Sequence, residues 1–287
     1  MDRWLARLIE AQGRWAKPFG DFNHRWLHAL FRPIPAVRDL LNGRWLGHPL
    51  HGVLTDAPIG ILFLVIVLDV LDQRAAADVA LVVGILAMLA AAVAGAADYA
   101  DTDGTARERA TVHSTLMVAA LVVYVVSLVV RNGSGDERTV AVWTSILAFL
   151  VLSAGAYVGG DVVYALGNMV SRHAFRGAGT TWIALEPTEL DAAGDIPEGR
   201  LVKAKLGINA LALVRHGATV LALHDTCAHA GGPLSSGTIE DGCLVCPWHF
   251  SKYRLTDGRA RRGPTVYDQP AYEVRRTDAG GWEARRR

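Results

Sequence analysis

Four long apolar stretches constrain the fold of this chain more than any other feature of its sequence. They cover Gly52–Leu71, Val79–Ala97, Val112–Val130 and Val140–Gly160. A helix of about 20 residues crosses a hydrocarbon core of roughly 30 Å, so each stretch has the length of a membrane span. Short polar connections separate the stretches, and the second and fourth contain no charged residue. A buried soluble bundle is the alternative, but four such stretches in succession favour a four-helix transmembrane domain over residues 47–176.

The basic residues around these stretches predict the orientation in the membrane. An even number of spans puts both termini on one side, and most basic residues fall there: Arg3, Arg7, Arg14, Lys17, Arg25, Arg32, Arg38, Arg44, Arg107, Arg109, Arg172 and Arg176. The opposite side carries only Arg74, Arg131 and Arg138, among acidic residues. The positive-inside rule therefore predicts a multi-pass protein of the cell membrane with both termini in the cytoplasm. Residues 1–50 show neither a secretory-signal pattern nor an Arg-Arg pair, which agrees with this orientation.

The N-terminal segment, residues 1–46, is basic and amphipathic rather than spanning. Its large apolar residues alternate with arginines at roughly helical spacing: Trp4, Leu5, Leu8, Ile9, Trp15, Phe19, Phe22, Trp26, Leu27, Leu30 and Phe31. Such a segment can lie in the membrane interface with its tryptophans at headgroup depth. The alternative is that these aromatic residues pack on the helical bundle or on the C-terminal domain, and the sequence does not separate the two.

The pattern changes after Thr181, where short β-rich runs alternate with turn signals. The runs include Trp182–Leu185, Ala210–Arg215, Thr219–Leu223 and Tyr272–Arg275. Glycine-containing turns such as His216-Gly217 and Asp257-Gly258 separate them, which is typical of a small antiparallel β domain. We assign residues 177–287 to this domain and expect a hinge at Gly177–Gly179. The net charge of +1 gives no reason to expect a nucleic-acid partner.

A four-residue motif in this domain has the composition of a metal site. Cys227-x-His229 is followed, after sixteen intervening residues, by Cys246-x-x-His249. Two thiolates and two imidazoles can hold a [2Fe–2S] cluster in which histidines bind one of the irons. The same four residues can also hold zinc, so the spacing alone leaves both metals open. The third cysteine, Cys243, then has no partner for an intramolecular disulfide, which fits a reducing compartment.

The residues around the motif resemble the Rieske family over about the last hundred residues. They are Gly231-Gly232-Pro233, the run Cys246-Pro247-Trp248-His249, then Ser251, Tyr253, Gly258 and Gly263-Pro264. The resemblance implies an all-β Rieske iron–sulfur domain, so the expected fold, with the four spans, is a membrane α-helical bundle joined to this domain. It also implies that Cys227 and Cys246 bind a buried iron. His229 and His249 would bind the outer iron, with their free ring nitrogens near solvent.

Departures from the family pattern bear on the redox potential. Rieske proteins of quinol-oxidising complexes carry a disulfide between the two loops, but the corresponding positions here are Gly232 and Trp248. Ser251 and Tyr253, in contrast, match the hydroxyl pair that hydrogen-bonds to the cluster and ligand sulfurs in the high-potential branch. Such bonds stabilise the more negative reduced state and raise the potential. Because the hydroxyl pair is present but the disulfide is absent, we expect an intermediate potential.

The membrane half resembles a second family, of small four-span proteins of unknown function. The matching residues lie within residues 45–170: Gly47-His48-Pro49, His51, Asp56-Ala57-Pro58-Ile59-Gly60, His113 and Gly159-Gly160-Asp161-Val162-Val163-Tyr164. This resemblance implies an architecture and no activity.

Ionisable residues cluster near the cytoplasmic ends of the spans, and such residues are functional candidates. They are His48, His51, Asp98, Asp101, His113 and His173. One interpretation is a haem b bound by His51 and His113, since imidazole is a common axial ligand. The other is that these residues cap helix ends and pair with one another, with Asp98 against His113 as the expected pair. A quinone pocket on this side is a third alternative.

A Rieske centre serves three broad classes of function. A Rieske oxygenase needs a further domain for a mononuclear iron, and only 38 residues follow His249. Subunits of quinol oxidoreductases have one anchoring helix and a domain outside the cytoplasm. The sequence therefore favours a membrane-anchored electron carrier between a cytoplasmic donor and a membrane or cytoplasmic acceptor, rather than a stand-alone enzyme. Its partners would be redox proteins and lipid. A haem- or quinone-linked oxidoreductase subunit, a redox sensor and a homo-oligomer stay open.

Overall fold

The computed structural model describes residues 4–133, 137–173 and 181–287, and the chain divides into two compact units. The first unit contains the described residues up to Asn42 together with Pro49–Asn168. The second contains Gly43–His48 and the described part of Met169–Arg287. The expected hinge, Gly177–Gly179, lies outside the described residues.

The first unit is helical throughout. Its helices are α1 (Trp4–Glu10), α2 (Gly13–Phe31), α3 (Pro35–Leu41), α4 (Leu50–Val70), α5 (Arg74–Tyr99), α6 (Gly104–Gly133) and α7 (Thr139–Gly160), which continues as a π-helical turn over Asp161–Ala165. The last four are long and apolar enough to cross a membrane, which confirms the four predicted spans by length and composition.

Small residues let the four long helices approach closely. A Cβ atom on Gly84 of α5 would lie 2.5 Å from Leu62 Cδ2 of α4. A Cβ atom on Gly155 of α7 would lie 2.9 Å from Met117 Cε of α6. Large apolar side chains instead cover the outside of the bundle, including Phe63, Leu86, Trp143 and Leu150. Close helix packing over small residues and an apolar exterior are what a lipid environment favours.

A buried charge cluster lies at the end of the bundle where α4 ends, α5 begins and α6 ends. The side chain of Arg131 in α6 is 1% exposed, and its guanidinium lies 2.8 Å from Asp69 of α4 and 3.2 Å from Asp78 of α5. The hydroxyl of Ser145 in α7 accepts a further hydrogen bond from Arg131. One cation thus connects all four spans, and the oppositely charged partners offset the cost of burying it.

Helix α2 has two different apolar faces. Ala16, Gly20 and Phe31 are buried, and α2 packs against α5 and α6. The hydroxyl of Tyr99 donates to the carbonyl of Gly20 over 3.2 Å, which fixes the crossing point. The other face is exposed in the described structure and carries Trp15, Phe19, Phe22, Trp26 and Leu30. The N-terminal segment therefore packs on the bundle with one face and leaves an aromatic face uncovered.

The second unit is all β. Its strands are β1 (Ile183–Pro187), β2 (Val202–Leu206), β3 (Asn209–His216), β4 (Thr219–His224), β5 (Thr238–Glu240), β6 (Cys243–Val245), β7 (Lys252–Arg254), β8 (Ala260–Arg262), β9 (Ala271–Arg276) and β10 (Trp282–Arg286). Six of them close an antiparallel barrel in the order β1-β10-β9-β4-β3-β2. The other four form a small sheet in sequence order, β5 to β8. The all-β prediction for this domain is confirmed.

Each sheet has its own core. The barrel encloses Leu185, Ile196, Leu211, Leu213 and further apolar side chains. A second cluster contains Leu234, Leu244 and Tyr253 together with both cysteines of the motif, Cys227 and Cys246. The motif therefore lies where the small sheet packs against strands β3 and β4, with its sulfur side turned into apolar surroundings.

Candidate iron–sulfur site

Two loops with the same backbone hydrogen bonds carry the motif. The first follows β4, where the amide of Cys227 donates to Gly232 O and the amide of Gly231 donates back to Cys227 O. The second follows β6, where the amide of Cys246 donates to Ser251 O and the amide of Phe250 donates back to Cys246 O. The fifth residue of each loop has positive φ, 89° at Gly231 and 63° at Phe250. Each loop is thus a closed turn that presents one cysteine and one histidine.

The two cysteines form the buried side of the site. Their exposed fractions are 1% for Cys227 and 2% for Cys246, and their thiols are in hydrogen-bonding contact. A hydrogen bond from the thiol of Cys227 lowers the pKa of Cys246 to about 7. The same contact, together with burial, raises the pKa of Cys227. A negative charge on one sulfur is therefore accommodated, as a thiolate ligand requires.

The two histidines form a second pair. The imidazole rings of His229 and His249 lie 5.0 Å apart, centre to centre, at 86° to one another. Two imidazoles bound to adjacent positions of one tetrahedral metal have ring centres about 5 Å apart, given metal–nitrogen bonds of about 2.0 Å. His249 is partly exposed, but His229 is only 6% exposed. The solvent-facing imidazole edge expected from the sequence therefore falls on His249 and not on both rings.

The donor set is arranged as two pairs and not as one group of four. Among the residues that the structure describes, no three His, Cys, Asp or Glu side chains converge on a point that could hold a single metal ion. A zinc ion needs four ligands around one centre. A [2Fe–2S] cluster with two sulfur ligands on one iron and two nitrogen ligands on the other needs two separate pairs. The residues present therefore fit the cluster better than zinc.

The two hydroxyl residues differ in what they contact. Tyr253 of β7 is fully buried, and its hydroxyl lies 3.0 Å from Cys227 Sγ. Burial raises the pKa of Tyr253, and the neighbouring Cys227 raises it further, so the group stays protonated and can donate to the sulfur. Ser251 is also buried, and its hydroxyl oxygen accepts a hydrogen bond from the amide of Thr265 over 3.2 Å. The described contacts place Tyr253, but not Ser251, on a ligand sulfur.

Gln269 supports the first loop and was not singled out from the sequence. Its side chain is buried, accepts from the amide of Ala228 over 2.9 Å and donates to the carbonyl of Thr226 over 2.7 Å. It also donates to the carbonyl of His224. Gln269 is 42 residues from Cys227 along the chain, and only the return of β9 to β4 brings the loop and this residue together. No local sequence signal identifies it.

No disulfide joins the two loops. All three cysteines are free thiols, and Cys243 lies in β6 as a core residue. A Cβ atom on Gly232 would lie 2.9 Å from Cys246 Sγ and 3.0 Å from the Trp248 ring. The two positions that the resemblance equates with a disulfide are therefore adjacent. A glycine and a tryptophan occupy them in packing contact.

This domain combines a small barrel with a four-stranded sheet and carries two Cys–His loops. These features define the class of iron–sulfur electron-transfer domains. The comparisons with known proteins agree: residues 186–273 match the Rieske [2Fe-2S] domain family, and residues 47–172 match the family described as predicted membrane protein (DUF2231). The chain belongs to the Rieske [2Fe–2S] family through its C-terminal domain, which is fused to this four-helix membrane domain. A Rieske domain implies a [2Fe–2S] cluster.

Several of the similar proteins are ferredoxin components of dioxygenase systems. The anthranilate 1,2-dioxygenase ferredoxin subunit of Burkholderia cepacia is 30% identical over 31% of this chain and 82% of its own length. The ferredoxin component of biphenyl 2,3-dioxygenase from Rhodococcus jostii is 30% identical over the same shares. Among solved structures, the ferredoxin of carbazole 1,9a-dioxygenase from Nocardioides aromaticivorans is 21% identical, covers 36% of this chain and 99% of its own, and has a TM-score of 0.31.

Of the remaining candidate residues, four lie in the first unit, namely His51, Asp98, Asp101 and His113, whereas His48 and His173 lie in the second. The rings of His51 in α4 and His113 in α6 are brought together, 6.2 Å apart between centres. The expected pair of Asp98 and His113 does not form. His113 Nδ1 bonds to the carbonyl of Gly155 instead, and one carboxyl oxygen of Asp98 is buried without a hydrogen-bond partner. His173 does not belong to this group, because it lies in the second unit, where its Nε2 contacts the carbonyl of Thr226.

Proposed function

We propose that Cys227, Cys246, His229 and His249 hold a [2Fe–2S] cluster and that the chain is a membrane-anchored electron carrier. The observation that carries this proposal is the arrangement of the two loops, which pair thiol with thiol and imidazole with imidazole. The cluster, when bound, takes up and releases one electron. The protein's part is to keep the sulfur side dry, to offer the Tyr253 hydroxyl to Cys227 and to leave the edge of His249 accessible to a partner.

The partners we propose are redox proteins. The ferredoxin relatives are named as components of dioxygenase systems. By analogy, a cytoplasmic reductase would supply electrons to this chain, and a membrane or cytoplasmic protein would accept them. Trp248 and Phe250, which flank His249 along the second loop, are exposed apolar residues and would contribute to the docking surface.

The proposed organisation has three parts, with both termini in the cytoplasm. Residues 1–46 would lie at the membrane surface, residues 47–176 would span the membrane and residues 177–287 would carry the cluster. The uncovered aromatic face of α2, with Trp15, Phe22 and Trp26, supports the interfacial position of the first part. The arginine distribution supports the orientation.

Electron paramagnetic resonance of the purified, reduced chain, with iron and zinc analysis, tests the cluster. We expect two non-haem irons per chain and the spectrum of a [2Fe–2S] centre with mixed nitrogen and sulfur ligands. Zinc in place of iron would contradict the proposal. The orientation is tested separately by protease treatment of sealed vesicles. We expect the C-terminal domain to be digested in inverted vesicles and protected in right-side-out ones.

A second candidate function, a haem-linked oxidoreductase subunit, is favoured by one observation in the first unit. His51 and His113 are held face to edge across the bundle. Quinone binding, a homo-oligomer and a sensor role are not proposed, because no contact among the described residues argues for any of them.

A further inference from the structure

The two histidines of the helical unit are held in the same way on two different helices. His51 of α4 donates from Nδ1 to the carbonyl of Ala91 in α5 over 2.9 Å. His113 of α6 donates from Nδ1 to the carbonyl of Gly155 in α7 over 2.8 Å. A carbonyl oxygen only accepts, so in both rings the proton of the neutral imidazole is on Nδ1 and the lone pair is on Nε2. This is how metal-binding histidines are commonly oriented, with the second nitrogen fixed by a backbone carbonyl.

A glycine supports each ring. A Cβ atom on Gly95, four residues after Ala91, would lie 2.9 Å from Cε1 of His51. A Cβ atom on Gly159, four residues after Gly155, would lie 2.9 Å from Cε1 of His113. Any larger residue at either position would displace the ring. The helices opposite the histidines therefore provide both the carbonyl that orients each imidazole and the space that the imidazole occupies.

The separation of the rings fits one metal between them. Their centres are 6.2 Å apart and their planes are at 74°. Two imidazoles that bind one metal from opposite sides through Nε2 have ring centres about 6.4 Å apart, for metal–nitrogen bonds of about 2.0 Å. The hydrogen bonds to Ala91 and Gly155 account for Nδ1 of each ring, and no contact among the described residues takes up Nε2 of either.

The number of protein ligands decides which metal group fits. Within the described ranges, no third His, Cys, Asp or Glu joins these two histidines in a metal-binding group, so the four-ligand site that zinc prefers is absent from this part of the chain. A haem needs only two axial ligands from the protein, because the porphyrin supplies the other four, and histidine is a common axial ligand.

We propose that His51 and His113 are the two axial ligands of a haem b bound inside the helical unit. This site is independent of the proposed iron–sulfur cluster, because the residues that form it all belong to the other compact unit. The helix hydrogen bonds at Nδ1 set the orientation of both rings before the haem binds.

The test uses the full chain, purified in detergent from cells supplied with the haem precursor 5-aminolaevulinate and compared with apo-protein titrated with haemin. We expect one haem per chain and the absorption and low-spin resonance spectrum of bis-histidine haem. His51→Ala and His113→Ala should each lower haem content at least tenfold. Gly95→Leu and Gly159→Leu, which displace the rings, should lower it as well.

His48→Ala is the matched control, because His48 is exposed and precedes the same helix. It should bind haem like the unchanged chain. The [2Fe–2S] resonance signal and the elution volume report folding in each variant, so a loss of haem with both preserved is specific to the site. A further variant, His113→Met, should keep haem but shift its spectrum to that of His–Met ligation.

Two results would overturn the proposal. One is the absence of haem from the unchanged chain after both loading and titration, whether the site is empty or holds another metal. The other is a bis-histidine spectrum that persists in His51→Ala or His113→Ala. Neither result would bear on the iron–sulfur proposal, which is read from its own resonance signal and from the iron content after haem iron is subtracted.

Discussion

The two histidine pairs of this protein are held by different means. His229 and His249 lie in two loops of the β unit, and their ring centres are 5.0 Å apart. His51 and His113 lie in two helices of the other unit, with ring centres 6.2 Å apart. In the loops, hydrogen bonds within the turn fix the backbone, and a cysteine lies two or three residues before each histidine. In the bundle, a neighbouring helix fixes each ring directly through a carbonyl and a glycine.

This difference explains why spacing identifies the loop pair in the sequence, whereas the sequence offers His51 and His113 as only one of several interpretations. A loop site keeps its ligands close together along the chain, so spacing and flanking residues reveal it. A bundle site draws its ligands from helices that are distant in sequence, and its supporting groups are backbone atoms. The ring centres are closer in the loop pair, at 5.0 Å, than in the helix pair, at 6.2 Å. Adjacent ligands of a metal are expected to lie closer together than opposite ones.

The largest expected effect is the loss of the cluster at the loop pair with no change at the helix pair. Cys246→Ala removes one sulfur ligand, so the [2Fe–2S] resonance signal should disappear, while any haem bound by the helix pair should be unaffected. Cys243→Ala is the control, since Cys243 is a core residue of β6 and should leave the signal intact. Resonance spectra and metal content check both variants. A signal that survives in Cys246→Ala would contradict the ligand assignment.

The next largest effect concerns the stability of the helical unit that holds His51 and His113. Arg131→Met leaves the carboxylate of Asp69 buried without its main partner, which should cost about 3–5 kcal/mol of unfolding free energy. Thermal unfolding in detergent, followed by circular dichroism, measures the loss. The double variant with Asp69→Leu should recover most of it, because no unpaired charge then remains. The exposed pair Arg74 and Asp72 supplies the control, where Arg74→Met should cost less than about 1 kcal/mol.

The first of the two ligand loops depends on hydrogen bonds from Gln269. Gln269→Leu removes the acceptor of the buried Ala228 amide, at a cost of about 1–3 kcal/mol, and should make the cluster decay faster on warming. Visible absorbance against time at a fixed temperature measures this decay. Gln73→Leu, at an exposed position, should leave the decay rate unchanged. Equal rates in the two variants would show that Gln269 does not support the loop.

The smallest expected effect concerns the reduction potential of the cluster and not the stability of the fold. Tyr253→Phe removes the hydrogen bond to Cys227 Sγ and should lower the reduction potential by roughly 40–90 mV, the one-electron equivalent of about 1–2 kcal/mol. Potentiometric titration measures the shift. Tyr267→Phe is the control, since its hydroxyl donates to the carbonyl of Met169 and not to a sulfur. An unchanged potential in Tyr253→Phe would mean that the hydroxyl only packs.

The sequence predicted the two-part architecture because both signals are local. Span length and hydropathy identified helices α4–α7, and alternating short runs identified the β domain. The sequence did not predict the contact of His113, which was expected to pair with Asp98. Its acceptor is the backbone of Gly155, and which carbonyl faces a ring depends on helix packing that no residue type encodes. Gln269 was missed for a similar reason, because β9 and β4 bring it to the loop from far along the chain.

The repeated use of histidine, carbonyl and glycine has a consequence in terms of symmetry. Helices α4 and α5 form one hairpin, helices α6 and α7 form another, and each contributes one histidine, one acceptor and one supporting glycine. The arrangement is that of a dimer of equivalent hairpins joined into one chain. Either hairpin alone supplies half of the proposed two-histidine site, so we expect haem binding to require both hairpins.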